Sequence, residues 1–273
     1  MSDDAEVSRS IVANGIHTNY HDQGEGPVAL LIHGSGPGVS AWANWRNTLP
    51  ALAQRRRVIA PDIVGFGYTE RPDRIRYTVD TWVDHALGLL DALNVESADI
   101  VGNSFGGALA LALAIRQPKR VRKLVLMGSA GVAFPLTPGL DAVWGYTPSV
   151  ESMRGLLRIF AFDQRLATEE LANLRYRASL RPGVQEAFAA MFPAPRQRWI
   201  ESLSVPEERL KALQHEVLII HGREDRVIPL ASSYHLMELI PNARLHVFGR
   251  CGHWTQIERA KEFNELVASY LSG

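Results

Sequence analysis

Short apolar runs alternate with longer amphipathic stretches along most of the chain. The apolar runs predict strands at about 10–14, 17–22, 28–33, 58–60, 98–102, 121–127, 217–222 and 244–248. Unbroken runs such as 28–33 are typical of strands covered on both faces. Stretches with helical spacing predict helices at about 41–53, 77–93, 107–114, 230–239 and 259–271. This alternation predicts an α/β fold, with a mostly parallel eight-stranded sheet and helices on both faces.

The pattern changes after the strand that ends at Met127. Prolines then interrupt short amphipathic stretches, among them 152–160 and 169–180. Helical insertions above the carboxyl edge of a parallel sheet act as lids that exclude water and shape a pocket. We therefore assign residues 1–131 and 214–273 to a core domain and residues 132–213 to an inserted helical cap.

Composition and charge exclude several classes of partner. Lys plus Arg and Asp plus Glu both total 29, so no net field attracts nucleic acid or an anionic membrane. No apolar run approaches the roughly 18 residues that span a bilayer. The acidic start at 1–6 lacks the apolar segment of a signal peptide, and the single cysteine, Cys251, excludes an internal disulfide. We expect a cytoplasmic protein whose substrate is recognised by a local site.

The segment Gly102-Asn103-Ser104-Phe105-Gly106 lies between a predicted strand and a predicted helix of small residues. A Gly-x-Ser-x-Gly sequence at such a junction forces the serine into a strained turn and exposes its side chain above the sheet edge. This context identifies Ser104 as a candidate nucleophile. The bare pattern alone would be a weak signal.

A serine hydroxyl needs an imidazole base, which a carboxylate orients. His253 follows the last predicted strand, and Asp225 follows the strand before it, with Glu224 as a possible substitute. The order Ser, Asp, His is the one required when the nucleophile lies at such a turn. The remaining histidines in or beside strands, His33, His221 and His246, are expected to be structural, and Cys251 a small packed residue.

The glycine-rich loop 34–38 follows the third predicted strand. Its spacing matches neither common phosphate-binding pattern, and no lysine follows it. We expect it to supply the Ser35 amide to an oxyanion hole, beside the amide of Phe105. A merely tight turn is the alternative.

No cofactor or metal is expected. His17 and His21 have a four-residue spacing, but they fall in a predicted extended segment without an accompanying carboxylate. We interpret them as surface histidines.

Four segments together resemble one family. They are HGSGPG at 33–38, GNSFGG at 102–107, GREDRVIP at 222–229 and GRCGHW at 249–254. They are similar to the α/β-hydrolases that cleave carbon–carbon bonds in ring-fission products of aromatic catabolism, the meta-cleavage product hydrolases. The segment before Asp225 is common to many α/β-hydrolases, whereas Asn103 and Trp254 are more particular to this group. Residues 159–164 and 174–177 resemble cap segments of the same group.

The resemblance implies an α/β-hydrolase fold and a planar dienoate substrate of the 2-hydroxy-6-oxohexa-2,4-dienoate type. It implies that Arg175 and Asn44, with Asn103 and Trp254 nearby, fix the carboxylate and the 2-oxygen, and that Phe160 lines the cap side. A planar arginine fork suits a desolvated carboxylate, but Arg177 and Arg181 are close enough in sequence to compete for this role. The candidates for the pocket of a small 6-substituent are Ala130, Trp144, Ile200 and Val227. We also expect a homodimer or larger homo-oligomer.

Other functions remain open at this level. A carboxylesterase or a cofactor-free perhydrolase could use the same serine, histidine and aspartate, because fold does not define substrate. Haloalkane dehalogenases and epoxide hydrolases use an aspartate where this chain has Ser104. A ligand-binding receptor or scaffold is the alternative from a different class.

Overall fold

Eight strands form one sheet in the computed structural model, which describes residues 4–272. They are β1 (Arg9–Ala13), β2 (Ile16–Gln23), β3 (Val28–Ile32), β4 (Arg57–Pro61), β5 (Ala98–Asn103), β6 (Val121–Met127), β7 (Glu216–Gly222) and β8 (Ala243–Phe248). Their order across the sheet is β1-β2-β4-β3-β5-β6-β7-β8. Strand β2 is antiparallel to both of its neighbours, and every pair from β4 to β8 is parallel. The predicted α/β fold with a mostly parallel eight-stranded sheet is confirmed.

Helices fill the connections between the strands. They are α1 (Ala41–Trp45), α2 (Leu49–Leu52), α3 (Val79–Ala92), α4 (Phe105–Arg116), α5 (Pro138–Trp144), α6 (Val150–Phe160), α7 (Glu169–Ser179), α8 (Val184–Met191), α9 (Gln197–Ser202), α10 (Glu207–Lys211), α11 (Leu230–Leu239), α12 (Thr255–Glu258) and α13 (Ala260–Ser272). Across residues 4–272, none of these helices has the length and apolar character needed to span a membrane.

Both faces of the sheet are buried. In β3, Leu30 and Ile32 belong to one hydrophobic cluster, and Leu31 belongs to a second cluster on the opposite face. Because successive side chains of a strand point to opposite faces, an unbroken apolar run is buried only when helices cover both sides. Leu109 of α4 packs in the first cluster and Phe263 of α13 in the second.

Helices α5 to α10 occupy the connection between β6 and β7, which is the segment assigned to a cap from the sequence. Two of them touch loops of the core. A Cβ atom on Gly38 would lie 2.6 Å from the Ser179 amide nitrogen at the end of α7. A Cβ atom on Gly252 would lie 2.5 Å from the Phe160 carbonyl oxygen at the end of α6. These glycines let the backbones approach closely enough to bring cap and core together.

The single helix predicted over 41–53 is wrong, because the segment forms α1 and α2 with a turn between them. Pro50 explains the break, since it has no amide to donate to the carbonyl of Arg46.

The interpretation of His21 as a surface residue is also wrong. The His21 side chain is 3% exposed and stacks on Trp42 with ring centroids 5.3 Å apart. Burial therefore lowers the pKa of the His21 ring, although Asp62 partly opposes that shift. His246 is exposed on β8, because an edge strand leaves alternate side chains in solvent.

Candidate active site

Ser104 lies at the turn between β5 and α4, with φ +55° and ψ −115°. Such a conformation is costly for a residue with a side chain and is typical of a nucleophile held by its surroundings. The Ser104 amide donates to the Met127 carbonyl at 2.8 Å, and the Ser104 carbonyl accepts from the Ala130 amide at 3.1 Å. Contacts with the end of β6 therefore hold the strained turn in place.

The two glycines of the turn are needed for close approach. A Cβ atom on Gly106 would lie 2.3 Å from the Ile32 carbonyl oxygen, and one on Gly102 would lie 2.4 Å from the Gly106 carbonyl oxygen. A larger residue at position 106 would separate the turn from β3, and one at position 102 would collide with the start of α4. This packing brings Ser104 beside the loop that follows β3.

Asp225 follows β7, and its carboxylate is fully buried. Its Oδ1 atom accepts the amides of Val227 at 2.7 Å and Ile228 at 3.0 Å. Its Oδ2 atom lies 2.7 Å from Nδ1 of His253. Burial alone would raise the pKa of the Asp225 carboxyl, but the His253 ring and the hydrogen bonds from His221 and His253 outweigh burial and hold this pKa well below its usual range. Asp225 is therefore a permanent anion beside the histidine.

Glu224, the alternative carboxylate, points elsewhere. Its Oε2 atom accepts the Cys251 amide at 2.9 Å, and its Oε1 atom pairs with Arg223 at 2.7 Å. Cys251 itself is buried, and burial raises the pKa of its thiol above the usual range. Neither side chain competes with Asp225 or Ser104.

The cap helps to fix His253. The His253 amide donates to the Phe160 carbonyl at 2.7 Å, and the Phe160 ring stacks on Trp254 with centroids 4.9 Å apart. His253 and Ser104 line the same cavity without a hydrogen bond between the ring and the hydroxyl. Such contacts often tighten only when substrate is bound.

The Ser35 and Phe105 amides lie on the two loops that meet at Ser104. Within residues 4–272 neither amide donates to an acceptor, so both can bind a ligand. The Phe105 amide also lies at the N-terminus of α4, where the helix dipole favours negative charge. Both amides are therefore candidates for an oxyanion hole.

The cavity lining also includes polar and cationic side chains. Arg175 on α7 lines it, together with Asn44, Asn103 and Trp254. The Asn44 Nδ2 atom is buried without a partner in the described chain, which leaves a donor for a ligand. Asn103 is 2% exposed and donates to the Met127 carbonyl at 3.3 Å.

The competing arginines lie outside the cavity. Arg177 is exposed, and its Nε atom contacts the Asn173 carbonyl at 3.4 Å. Arg181 stacks on Tyr68, with the guanidinium carbon 3.9 Å from the ring centroid. Of these three arginines, the structure brings only Arg175 to the cavity wall.

The four candidates for the 6-substituent pocket are not all together. Val227 lines the cavity, whereas Ala130, Trp144 and Ile200 are buried but do not line it. The Trp144 indole stacks on Phe192 and donates through Nε1 to the hydroxyl of Ser35, which lines the cavity, at 3.0 Å. The apolar wall is instead lined by Leu140, Val143, Met153, Leu157, Phe160 and Val227.

Sequence reasoning missed Arg46 and Gln256, which also line the cavity. Gln256 is 1% exposed, donates to the Asn44 carbonyl at 3.3 Å and leaves its Oε1 atom without a partner in the described chain. Arg46 donates to the Ala43 carbonyl at 2.6 Å. Their positions, two residues after Asn44 and three after His253, were the available signal.

His221 was expected to be structural, and it is buried as expected. However, its Nε2 atom lies 3.2 Å from Asp225 Oδ2 and 3.0 Å from the Ile228 carbonyl, and its Nδ1 atom lies 2.6 Å from the Ser233 hydroxyl. Because both neighbours of Nε2 are acceptors, the proton belongs on Nε2. His221 therefore also contacts the candidate catalytic carboxylate.

The described residues contain no cluster of three or more His, Cys, Asp or Glu side chains that could hold a metal ion.

Comparison with known proteins identifies the family of the chain. The family model for the alpha/beta hydrolase fold matches residues 28–260. A 2-hydroxymuconate semialdehyde hydrolase of Pseudomonas sp. (strain CF600) is 64% identical, over 98% of this chain and 94% of the relative. A 2-hydroxy-6-oxo-2,4-heptadienoate hydrolase of Pseudomonas putida F1 is 59% identical, over 98% of this chain and 97% of the relative.

Among solved structures, the meta-cleavage product hydrolase CumD from Pseudomonas fluorescens IP01 superposes with a TM-score of 0.98. It is 60% identical, over 98% of this chain and 99% of that one. A 2-hydroxy-6-oxo-6-phenylhexa-2,4-dienoate hydrolase of a Rhodococcus strain superposes with a TM-score of 0.90 at 32% identity, over 97% and 98% of the two chains. The protein is a hydrolase of the α/β-hydrolase family and belongs within it to the meta-cleavage product hydrolases.

Proposed function

We propose that the protein hydrolyses the C5–C6 bond of 2-hydroxy-6-oxohexa-2,4-dienoates with a small 6-substituent. The products are 2-hydroxypenta-2,4-dienoate and a carboxylic acid. One observation carries the proposal, namely that a single cavity is lined by Ser104 and His253 and also by the buried cation of Arg175. A nucleophile and a carboxylate-binding group in one cavity fit a substrate that carries both a ketone and a carboxylate.

The substrate lies with its carboxylate and 2-oxygen toward Arg175, Asn44 and Asn103, and with its C6 carbonyl beside Ser104. The stacked Phe160 and Trp254 rings supply a flat apolar surface for the conjugated chain. Residues 132–213 act as a cap that excludes water from this arrangement.

The first stage is a tautomerisation, in which C5 gains a proton and the 2-hydroxyl group loses one to give the 2-keto tautomer. Only this tautomer can accept the electrons of the C5–C6 bond, because C5 is then conjugated through C3 and C4 to the 2-oxygen. The negative charge develops at the end of the substrate near Arg175 and Asn44. Preorganised donors there stabilise the leaving group.

In the second stage Ser104 attacks C6 while Nε2 of His253 takes the hydroxyl proton. Asp225 holds Nδ1 of the same ring and stabilises the imidazolium. The oxyanion accepts hydrogen bonds from the Ser35 and Phe105 amides. Collapse breaks the C5–C6 bond, and the leaving dienolate takes the proton from Nε2 of His253. The neutral His253 ring then accepts a proton from the water that attacks the acyl-serine, and it returns this proton to Ser104 as the carboxylic acid leaves.

The test follows the loss of the coloured dienolate and identifies both products, with wild type and with Ser104→Ala. Triad members act as a unit, so Ser104→Ala should lose at least about a thousandfold in turnover while still binding substrate. Rapid-quench mass spectrometry should detect an acyl adduct on Ser104. Direct attack by water would leave no adduct, which would remove the covalent step but retain the reaction.

Two other outcomes would overturn the proposal. Faster turnover of neutral esters than of the dienoate would identify a carboxylesterase or perhydrolase. Tight dienoate binding without turnover by the wild type would identify a receptor. Retention of more than about a tenth of wild-type turnover in Ser104→Ala would remove Ser104 from the mechanism.

A further inference from the structure

The segment from Asp4 to Ser8 crosses from the core toward α7. It is held on β2 by Asn19, whose Nδ2 atom donates to the Glu6 carbonyl at 2.9 Å and whose Oδ1 atom accepts the Ser8 amide at 3.0 Å. The same Nδ2 atom donates to the buried Asp62 carboxylate at 2.8 Å. The backbone at Glu6 is therefore anchored to the core.

The Glu6 side chain reaches the cap. Its Oε1 atom lies 3.1 Å from Nη1 of Arg175, and its Oε2 atom lies 3.3 Å from Nη1 of Arg181. The Glu6 and Arg175 side chains are 14% and 11% exposed, so solvent screens this pair only partly. One carboxylate thus joins two arginines that are six positions apart in the cap.

Arg175 has a second anchor, because its Nη2 atom donates to the Gly38 carbonyl in the loop after β3. Two of its five N–H donors are thus directed at the protein, and the remaining donors are free for a ligand in the cavity. These two contacts at Nη1 and Nη2, together with the attachment of the group to its side chain at Nε, fix the plane of the guanidinium group. A planar fork in a fixed orientation loses little entropy when it binds a carboxylate.

The charges around Arg175 also favour a role for Glu6. Burial lowers the pKa of the Arg175 guanidinium, and Arg181 and Arg46 add to that shift, whereas Glu6 opposes it. Burial likewise lowers the pKa of Arg46, and Glu6 again opposes the shift. The Glu6 carboxylate therefore offsets part of the repulsion among three neighbouring cations while no substrate is bound.

We propose that Glu6 is a positioning residue for substrate recognition, which holds the Arg175 guanidinium in the orientation that binds the substrate carboxylate. The proposal rests on the proposed function, since it takes Arg175 as the group that binds that carboxylate. It makes an N-terminal residue, far from the motifs in sequence, a determinant of the preference for anionic substrates.

The experiment compares Glu6→Gln with Asp4→Asn. Asp4 is a matched control, because it lies on the same segment and contacts the Tyr68 hydroxyl and the Glu6 amide but not Arg175. The Oδ1 atom of an asparagine can still accept the Glu6 amide. The substrates are the 6-methyl dienoate and its C1 methyl ester, which differ in the charge at C1. Glu6→Gln should raise KM for the dienoate about tenfold with a smaller change in kcat, because a charge-assisted contact is lost. Turnover of the methyl ester by Glu6→Gln should stay within about a factor of two of wild type. Turnover of both substrates by Asp4→Asn should also stay within about a factor of two of wild type.

A second measurement places Glu6→Gln in an Arg175→Ala background. If Glu6 acts through Arg175, the double variant should be no worse with the dienoate than Arg175→Ala alone. Equal losses with the dienoate and the methyl ester would instead reveal a purely structural role and overturn the proposal. An unchanged or lower KM in Glu6→Gln would overturn it as well.

These failures differ from failure of the proposed function. If Arg175→Ala loses turnover of the dienoate while Glu6→Gln behaves like wild type, only the role of Glu6 is rejected. An Arg175→Ala variant that processes the dienoate normally would reject Arg175 as the carboxylate-binding residue and, with it, the role of Glu6.

Discussion

Nε2 of His221 lies 3.2 Å from Oδ2 of Asp225, the same oxygen atom that contacts the His253 ring. The hydrogen bond from His221 is one of the contacts that hold the pKa of Asp225 below its usual range, against the effect of burial. His221→Phe should therefore raise the pKa of Asp225, but the contact with His253 remains, so the carboxyl group should stay ionised at neutral pH. The variant should also lose about tenfold or more in kcat, because the carboxylate loses a positioning contact.

The measurement is a pH–rate profile of His221→Phe beside His246→Phe, in which an exposed histidine of β8 is replaced. The His246 variant should keep the wild-type profile. A kcat in His221→Phe that stays within about twofold of wild type across the profile would show that His221 is only a packed core residue.

Arg175→Ala should lower kcat/KM for the dienoate roughly thirtyfold or more, since removal of a buried charged donor costs about 2–5 kcal/mol. Both kcat and KM should change if binding at C1 positions C6 for attack. Arg177→Ala is the control, because Arg177 is exposed on the same helix. An Arg175→Ala variant within about threefold of wild type would transfer the role to Arg46, which also lines the cavity.

The 6-methyl or 6-isopropyl dienoate should exceed the 6-phenyl analogue in kcat/KM by roughly tenfold or more. Leu140, Val143 and Val227 line the cavity wall where α5 meets the loop after β7. Leu140→Ala should narrow this preference by making room for a ring. Leu156→Ala, which removes a buried cap leucine outside the cavity wall, should leave the preference unchanged.

Trp144→Ala has a different expected effect, because the indole supports Ser35 and does not line the cavity. Trp144→Ala should lower turnover of the 6-methyl and the 6-phenyl dienoate to the same extent. Equal turnover of the 6-phenyl and 6-methyl dienoates by the wild type would contradict the small-substituent assignment.

The free energy of unfolding should fall as the pH drops from about 6.5 toward 4. Burial lowers the pKa of His33 to about 4, and burial together with repulsion from His33 lowers that of His85 to about 4. In this interval the unfolded chain binds protons that the folded chain does not, so stability is lost as the pH decreases. Each histidine contributes a slope of roughly 1.4 kcal/mol per pH unit.

Urea unfolding at several pH values measures this slope. His85→Gln should reduce it, whereas His17→Gln, which changes an exposed residue, should not. A free energy of unfolding that is constant across this interval would contradict the prediction.

Local sequence determined most of the fold. The apolar run 121–127 became β6 with the same bounds, and 230–239 became α11, because a period of two or 3.6 residues is set within a few turns of chain. The strained turn at Ser104 was predictable for the same reason, since adjacent glycines and a strand–helix junction impose it. The order of Ser104, Asp225 and His253 followed from where the predicted strands end.

Tertiary structure decided which side chains face the cavity. Glu224 and Asp225 are neighbours in sequence, and only the packing of the loops after β7 and β8 brings Asp225 to His253. Trp144 looked suitable for the substituent pocket, but the stacking of Phe192 turns it toward Ser35. Neither the contact of Asp225 with His253 nor that of Trp144 with Ser35 can be predicted from a local sequence pattern.

The contact between Glu6 and Arg175 shows most clearly what local sequence patterns do not predict, because 169 positions separate the two residues. Periodicity reports which face of an element is buried, and turn chemistry reports where the chain bends. Neither reports which distant segment covers that face. That choice depends on how cap and core pack together, and it determines whether a buried arginine finds its counterion inside the protein or in the substrate.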